Sequence, residues 1–163
     1  VYGPGLASGS NAVTMLIDQY RKGKWRFKLG DGSATGNYTY VKDVVQGHLL
    51  AMEHGRSGHR YILGGENLSL NELFSKIAQI TGRNHKLFGI PVPLAVAFAK
   101  FQTLKASVLG SPPAITPEWV VKFSKNWACS SDKAQRELGY EITPADQALK
   151  ATYEWILNQE ASE

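Results

Sequence analysis

The chain has 163 residues, a formal net charge of +4, 43% hydrophobic and 20% charged residues: one domain's worth of globular composition, able to bury roughly two-thirds of its unfolded surface. The basic residues are scattered, which argues against a nucleic-acid-binding stripe. A single cysteine, Cys129, excludes an internal disulfide and fits a reducing cytoplasm.

In chain order, residues 2–9 read as a Gly/Pro/Ser loop. A helix follows with Val13, Leu16, Ile17 and Tyr20 on one face and Gly23 as its stop. Trp25, Phe27 and Leu29 alternate with Arg26 and Lys28, which predicts a strand with one buried face. Residues 30–36 form a polar turn. Residues 38–41 are β-branched and aromatic and predict a second strand. Asp43 then stands where it would cap the next helix. In that helix Val45, Leu49 and Met52 make an apolar stripe, with Val41, Val44 and His48 beside it. Gly47 inside it costs helix propensity, so it marks close packing. Gly55 ends the helix and residues 60–63 predict a strand that runs into Gly64-Gly65.

Ser69 and Glu72 have capping-box spacing, and Leu68 is set to staple onto Leu73. The helix they open carries Leu70, Leu73, Phe74, Ile77 and Ile80 inward and stops at Gly82. Residues 86–90 predict a short strand. Residues 94–109 predict a long apolar helix with Leu94, Phe98, Phe101, Leu104 and Val108 on one side. The apolar run 87–99 holds Pro91 and Pro93 and meets Lys100, too short and broken to span a membrane. Thr116-Pro117 caps a helix bearing Trp119, Val120 and Phe123. A strand over 127–129, a helix over 132–138 closed by Gly139, and a last helix capped at 143–146 complete the chain. In that last helix Leu149, Tyr153 and Ile156 face inward. Strands and helices alternate early and helices dominate late, which is α/β passing into a helical lobe.

Several of these stretches together resemble a known family. They are Val1-Tyr2-Gly3-Pro4-Gly5, residues 37–43 with Gly47-His48, residues 60–68, and Ser131-Asp132-Lys133-Ala134 with Glu137-Leu138-Gly139-Tyr140. In that order they resemble the C-terminal half of extended short-chain dehydrogenase/reductases. More narrowly the resemblance is to NAD-dependent epimerase/dehydratases of the dihydroflavonol-reductase-like and hopanoid-associated sugar epimerase branch. It implies the end of a doubly wound, Rossmann-type sheet followed by a mostly helical substrate-binding lobe. The whole chain, 1–163, is then one fragment, with the dinucleotide-binding half absent. The opening Val1-Tyr2, with no initiator methionine, favours the same expectation.

Neither glycine-rich loop has the context of a dinucleotide fingerprint, which needs a strand, a tight turn and a helix N-terminus in succession. Gly3-Pro4-Gly5 with Gly9 has too little chain before it, and Gly30-Asp31-Gly32 with Gly36 lies between two strands. The resembling family's catalytic Tyr-x-x-x-Lys is matched in spacing at Tyr20–Lys24 and at Tyr38–Lys42. Gly23 interrupts the first, and the second lies on a strand. Both are rejected, so no residue is assigned to catalysis or to cofactor binding. His48, His54, His59 and His85 lack metal-ligand spacing, and Cys129 stands alone as a small half-buried strand residue.

What the resemblance leaves is substrate recognition, at Tyr2, Gly3, Pro4, Asn37 and Tyr40; for Tyr2, Asn37 and Tyr40 a packing role stands beside substrate contact. Nucleotide-sugar members commonly carry an arginine near the position of Gly36 and a histidine at that of Tyr40. Both departures weaken a nucleotide-diphosphate-sugar substrate and leave a less charged one open. The resulting expectation is the substrate-binding part of an NAD- or NADP-dependent epimerase/dehydratase or reductase that moves a hydride at a carbonyl or alcohol carbon. The substrate would be a small molecule, either a sugar derivative or a flavonol- or ketone-like compound. The chain alone would be inactive and would bind no cofactor. It would be cytoplasmic and homo-oligomeric, without a nucleic-acid or membrane partner. The alternative is a free-standing, non-catalytic ligand-binding or interaction module of the same descent.

Overall fold

The structure, a computed structural model, describes residues 1–5, 11–109 and 116–162. Its elements run α1 (Ala12–Arg21), β1 (Phe27–Leu29), β2 (Thr35–Tyr38), α2 (Val41–His54), β3 (Glu66–Ser69), α3 (Leu70–Thr81), β4 (Phe88–Ile90), α4 (Val92–Leu109), α5 (Pro117–Phe123), α6 (Asp132–Leu138) and α7 (Ala145–Glu160). The class is α/β, as expected. The described strands form two small sheets: β1 pairs with β4 in parallel, and β2 pairs with β3 antiparallel from Thr35↔Ser69 to Tyr38↔Glu66.

The main core gathers α1, α3 and α7 around Ile17, Tyr20, Leu73, Phe74, Ile77, Leu149 and Ile156. These are the faces that helical periodicity marks, with Val13, Leu16, Leu70, Ile80 and Tyr153 at their margins. The Ser69–Glu72 capping box forms in both directions, Leu68 and Leu73 are both buried in this core, and Gly82 closes α3 with φ 62°. A second cluster packs Leu50 and Ala51 of α2 against Ala134, Leu138 and Tyr140, with Tyr61 and Leu63 between. Gly47 lies here because a Cβ would come within 2.7 Å of Leu63 and 3.0 Å of Tyr140.

Several expectations are corrected. The second strand occupies 35–38 and α2 starts at Val41, so Asp43 lies inside the first turn and is not the cap. Its carboxylate, buried, accepts from the Thr143 backbone N–H (2.9 Å) and hydroxyl (2.6 Å), joining α2 to the start of α7. Thr143 is thereby used up and Pro144 supplies no cap; the first N–H of α7, at Ala145, donates instead to Glu66 Oε1 (2.9 Å).

The stripe Val45, Leu49 and Met52 faces outward, 57%, 49% and 83% exposed. His48 is exposed too, held to the Val44 carbonyl at 2.7 Å. Residues 60–63 form no strand: Tyr61 and Leu63 turn inward and Ile62 outward, but no neighbouring chain among the described residues completes a ladder. Conversely β3 was not foreseen. Phe27 is exposed in β1, and only Gly36↔Trp127 bridges where a strand over 127–129 was expected. On α4, Leu94, Phe98, Phe101 and Leu104 are exposed, whereas Ala99 is buried. The side chain of Val108, and Gly9 in the first loop, lie outside the described residues. Thr116 does cap α5, and Gly139, at φ 72°, does stop α6.

Candidate functional site

The five residues expected at the substrate lie around the junction of β2 and α2. Tyr2 bridges Tyr40 in parallel: its N–H donates to the Thr39 carbonyl (2.9 Å), and its carbonyl accepts from the Val41 N–H (2.8 Å). Gly3 must lack a side chain, since its φ is 153° and a Cβ would sit 2.5 Å from Val41 Cγ1. Its carbonyl faces α1, accepting from Asn11 Nδ2 (3.1 Å) and lying 2.9 Å from the Thr14 hydroxyl. Pro4 follows, half-buried.

The rings of Tyr2 and Tyr40 are both buried, with centroids 6.1 Å apart and planes tilted by 50°. Among the described residues neither hydroxyl has a hydrogen-bond partner. Burial, reinforced by Glu66 and Asp43, pushes the Tyr2 phenol far above its ordinary range. Burial and then Asp43 raise Tyr40 as well. Both therefore stay protonated at neutral pH, as donors and not as bases.

Asn37 is committed elsewhere. Its Nδ2 donates to the Gly65 carbonyl and to Asn67 Oδ1, each at 2.8 Å, while its Oδ1 accepts from the Gly65 N–H (2.9 Å) and the Thr39 hydroxyl (3.0 Å). All four positions of the amide are occupied. Asn37 thus fixes the Gly64–Gly65 turn against β2. The same turn is held by Ser131, whose hydroxyl accepts from the Gly64 N–H (2.8 Å), and by Tyr140, which donates to the Gly64 carbonyl (3.0 Å). Burial, then the charges of Asp43 and Cys129, pushes Tyr140 up to about 12. Asn67 extends the frame, donating to the Cys129 carbonyl and accepting from its N–H.

The roles of Asn67, Ser131 and Tyr140 were not foreseen; their partners lie 62 to 76 residues away, where no periodic signal reaches. Cys129 is free and half-buried, as expected. Among the described residues no group of His, Cys, Asp or Glu could hold a metal, and no helix is long and apolar enough to cross a membrane.

The described residues form no strand, tight turn and helix fingerprint for a dinucleotide. The Gly3 carbonyl points to α1, so the first glycine loop offers that helix an acceptor where a pyrophosphate needs N–H donors. The second, with Gly30 and Gly32 at positive φ, joins β1 to β2 and opens no helix. An open cleft of about 380 Å³ bordered by Asp31, Ser33, Lys125 and Asn126 lies at the other end of β2 from Tyr40. There Asp31 accepts from Ser33, whose hydroxyl and N–H hold its carboxyl below the usual range. This cleft is separate from the tyrosine pair.

The model of the NAD dependent epimerase/dehydratase family matches residues 1–64. A Synechocystis protein provisionally named dihydroflavonol 4-reductase is 32% identical over 75% of this chain and 37% of its own length. The mouse sterol-4-alpha-carboxylate 3-dehydrogenase, decarboxylating, is 32% identical over 86% of this chain and 42% of its own. Among solved structures, the Bordetella bronchiseptica enzyme WbmF, in complex with NADH, is 27% identical with a TM-score of 0.67, covering 99% of this chain and 44% of that one. The chain thus spans about two-fifths of the length of the proteins it matches.

Proposed function

Since the chain belongs to the extended short-chain dehydrogenase/reductase family, among its NAD-dependent epimerases, dehydratases and reductases, we propose that it is the substrate-binding portion of such an enzyme. The substrate is a small molecule carrying the carbonyl or alcohol carbon at which hydride moves. Cofactor and catalytic groups come from a dinucleotide-binding segment outside residues 1–163, and the chain alone is inactive. The NAD or NADP would supply the hydride exchange. The chain's own residues shape and orient the substrate: Tyr2 and Tyr40 as protonated donors, Gly3 and Pro4 as the adjoining wall, and Asn37 as the residue that positions this junction.

The observation that carries this reading is the tyrosine pair, two buried rings whose hydroxyls find no partner among the described residues. The lack of an arginine at the position of Gly36 favours a substrate with less charge than a nucleotide diphosphate. The outward stripe of α2 supports a missing segment, because an apolar helix face of this kind usually has a neighbour.

Two measurements test the proposal. Calorimetric titration with NAD and with NADP is expected to show no saturable heat in the micromolar range, and micromolar binding would overturn the placement of the cofactor elsewhere. Tyr2→Phe and Tyr40→Phe are expected to change unfolding free energy by less than about 0.5 kcal/mol, since each removes a hydroxyl without a partner among the described residues. A loss above about 1.5 kcal/mol in either would make that hydroxyl structural and withdraw it from the site.

A further inference from the structure

No aspartate or glutamate stands between Glu72 and Glu118, while Lys76, Arg83, Lys86, Lys100 and Lys105 do, and Lys122 and Lys125 follow. Lys76 is engaged by Asp146. The other six make no ion pair among the described residues, and all six are exposed. The same stretch carries much of the molecule's exposed large apolar surface. Phe88 in β4 sits in register beside the exposed Phe27 of β1, with Lys86 Nζ 5.9 Å from its ring. Leu94, Phe98, Phe101 and Leu104 follow on α4, 55% to 65% exposed, and Trp119 and Val121 on α5.

At 3.6 residues per turn, the four α4 side chains fall within about 120° of arc, with Lys105 inside that arc and Lys100 at its margin. Ala99 is buried on the opposite side. Packing against α5 accounts for that inner side and leaves the outer one bare.

We propose that α4 and α5 lie on an anionic phospholipid surface, the aromatic and aliphatic side chains entering the acyl boundary and the lysines meeting the phosphates. Protein–protein interfaces are depleted of lysine at their centres. A lipid interface takes lysine readily, because the stem can lie along apolar surface while the ammonium stays at headgroup level. Lysines set among exposed Phe and Leu, with Glu118 the one acid carried by α4 and α5, match the second environment. The sequence argued only against a spanning helix, and its expectation of no membrane partner is replaced here by attachment from one side. A shallow groove of about 400 Å³ between α4 and α5, bordered by Lys100, Leu104, Pro117 and Glu118, adds room for part of an acyl chain.

Co-sedimentation of the 163-residue chain with lipid vesicles tests this. Binding is expected to vesicles of phosphatidylcholine containing phosphatidylglycerol, to fall with salt, and to be weak on phosphatidylcholine alone. Lys100→Gln with Lys105→Gln should weaken partitioning about twenty-five-fold, at about fivefold per lysine. Phe98→Ser with Phe101→Ser should abolish it, and Leu49→Ser with Met52→Ser on α2 should leave it unchanged. Thermal melts of all three variants confirm that each is folded. No binding to anionic vesicles, equal binding to neutral ones, or binding untouched by the lysine changes would overturn the proposal. So would sedimentation velocity showing that Phe98→Ser with Phe101→Ser dissociates a dimer, which would give the face to a second copy of the chain.

Discussion

Asp43 shows how much one side chain holds across the chain. A carboxylate that accepts twice from Thr143, a hundred residues away, does more than cap a helix. Asp43→Ala strands a half-buried N–H and a hydroxyl and is expected to cost about 2 kcal/mol in urea unfolding. Asp43→Asn keeps an acceptor for the N–H and can donate to the hydroxyl, so its cost should be about 1 kcal/mol. An alanine variant as stable as the parent would show that this bridge contributes nothing. The sequence marks Asp43 as a polar residue at a helix start, where capping is the local reading. The partner that wins is invisible to local spacing. The same holds for Asn37, whose saturated amide could be seen only once Gly65 and Asn67 were beside it.

At the level of elements, α1 and α7 are joined by ion pairs as well as by packing. Glu160 meets Arg21 and lies 2.9 Å from Lys22, and Asp18 also engages both cations. The hydrogen bonds from Arg21, then those from Lys22, hold the Glu160 carboxyl down to about 2. A depressed carboxylate stabilises the fold above its unfolded value of about 4.3 and loses that contribution as pH falls towards 2. Glu160→Gln should therefore lower the melting temperature at pH 6, and its difference from the parent should shrink between about pH 4.5 and 2. A difference independent of pH would show that the pairing has no weight.

Helices of this kind were legible wherever both the cap and the buried face are local: α3, with its box and its Gly82 stop, is the clearest. The stripe on α2 is apolar as its spacing indicates, yet it faces outward, because periodicity reports that a face exists and not what lies against it. Residues 60–63 fail for a related reason, as a strand exists only with its ladder. The five candidate site residues came from resemblance alone. The frame behind them, Asn67, Ser131 and Tyr140, left no signal in spacing.

Taken whole, the molecule has a covered core on the α1–α3–α7 side and an uncovered apolar face at α2 and Ile62. Such a face is expected to draw chains together in isolation. Sedimentation across dilutions should show association that Leu49→Lys with Met52→Lys abolishes; a monomer at every concentration would show that this face tolerates water. The covered side has its own consequence for how the protein is made. Ile17 and Tyr20, near the start, share their cluster with Leu149 and Ile156, near the end. Synthesis runs at about 5–20 residues per second, so α1 and α3 wait several seconds for α7 to emerge from the ribosome. During that interval their apolar faces are open to chaperones and to neighbouring nascent chains, and the core closes only when the last helix arrives.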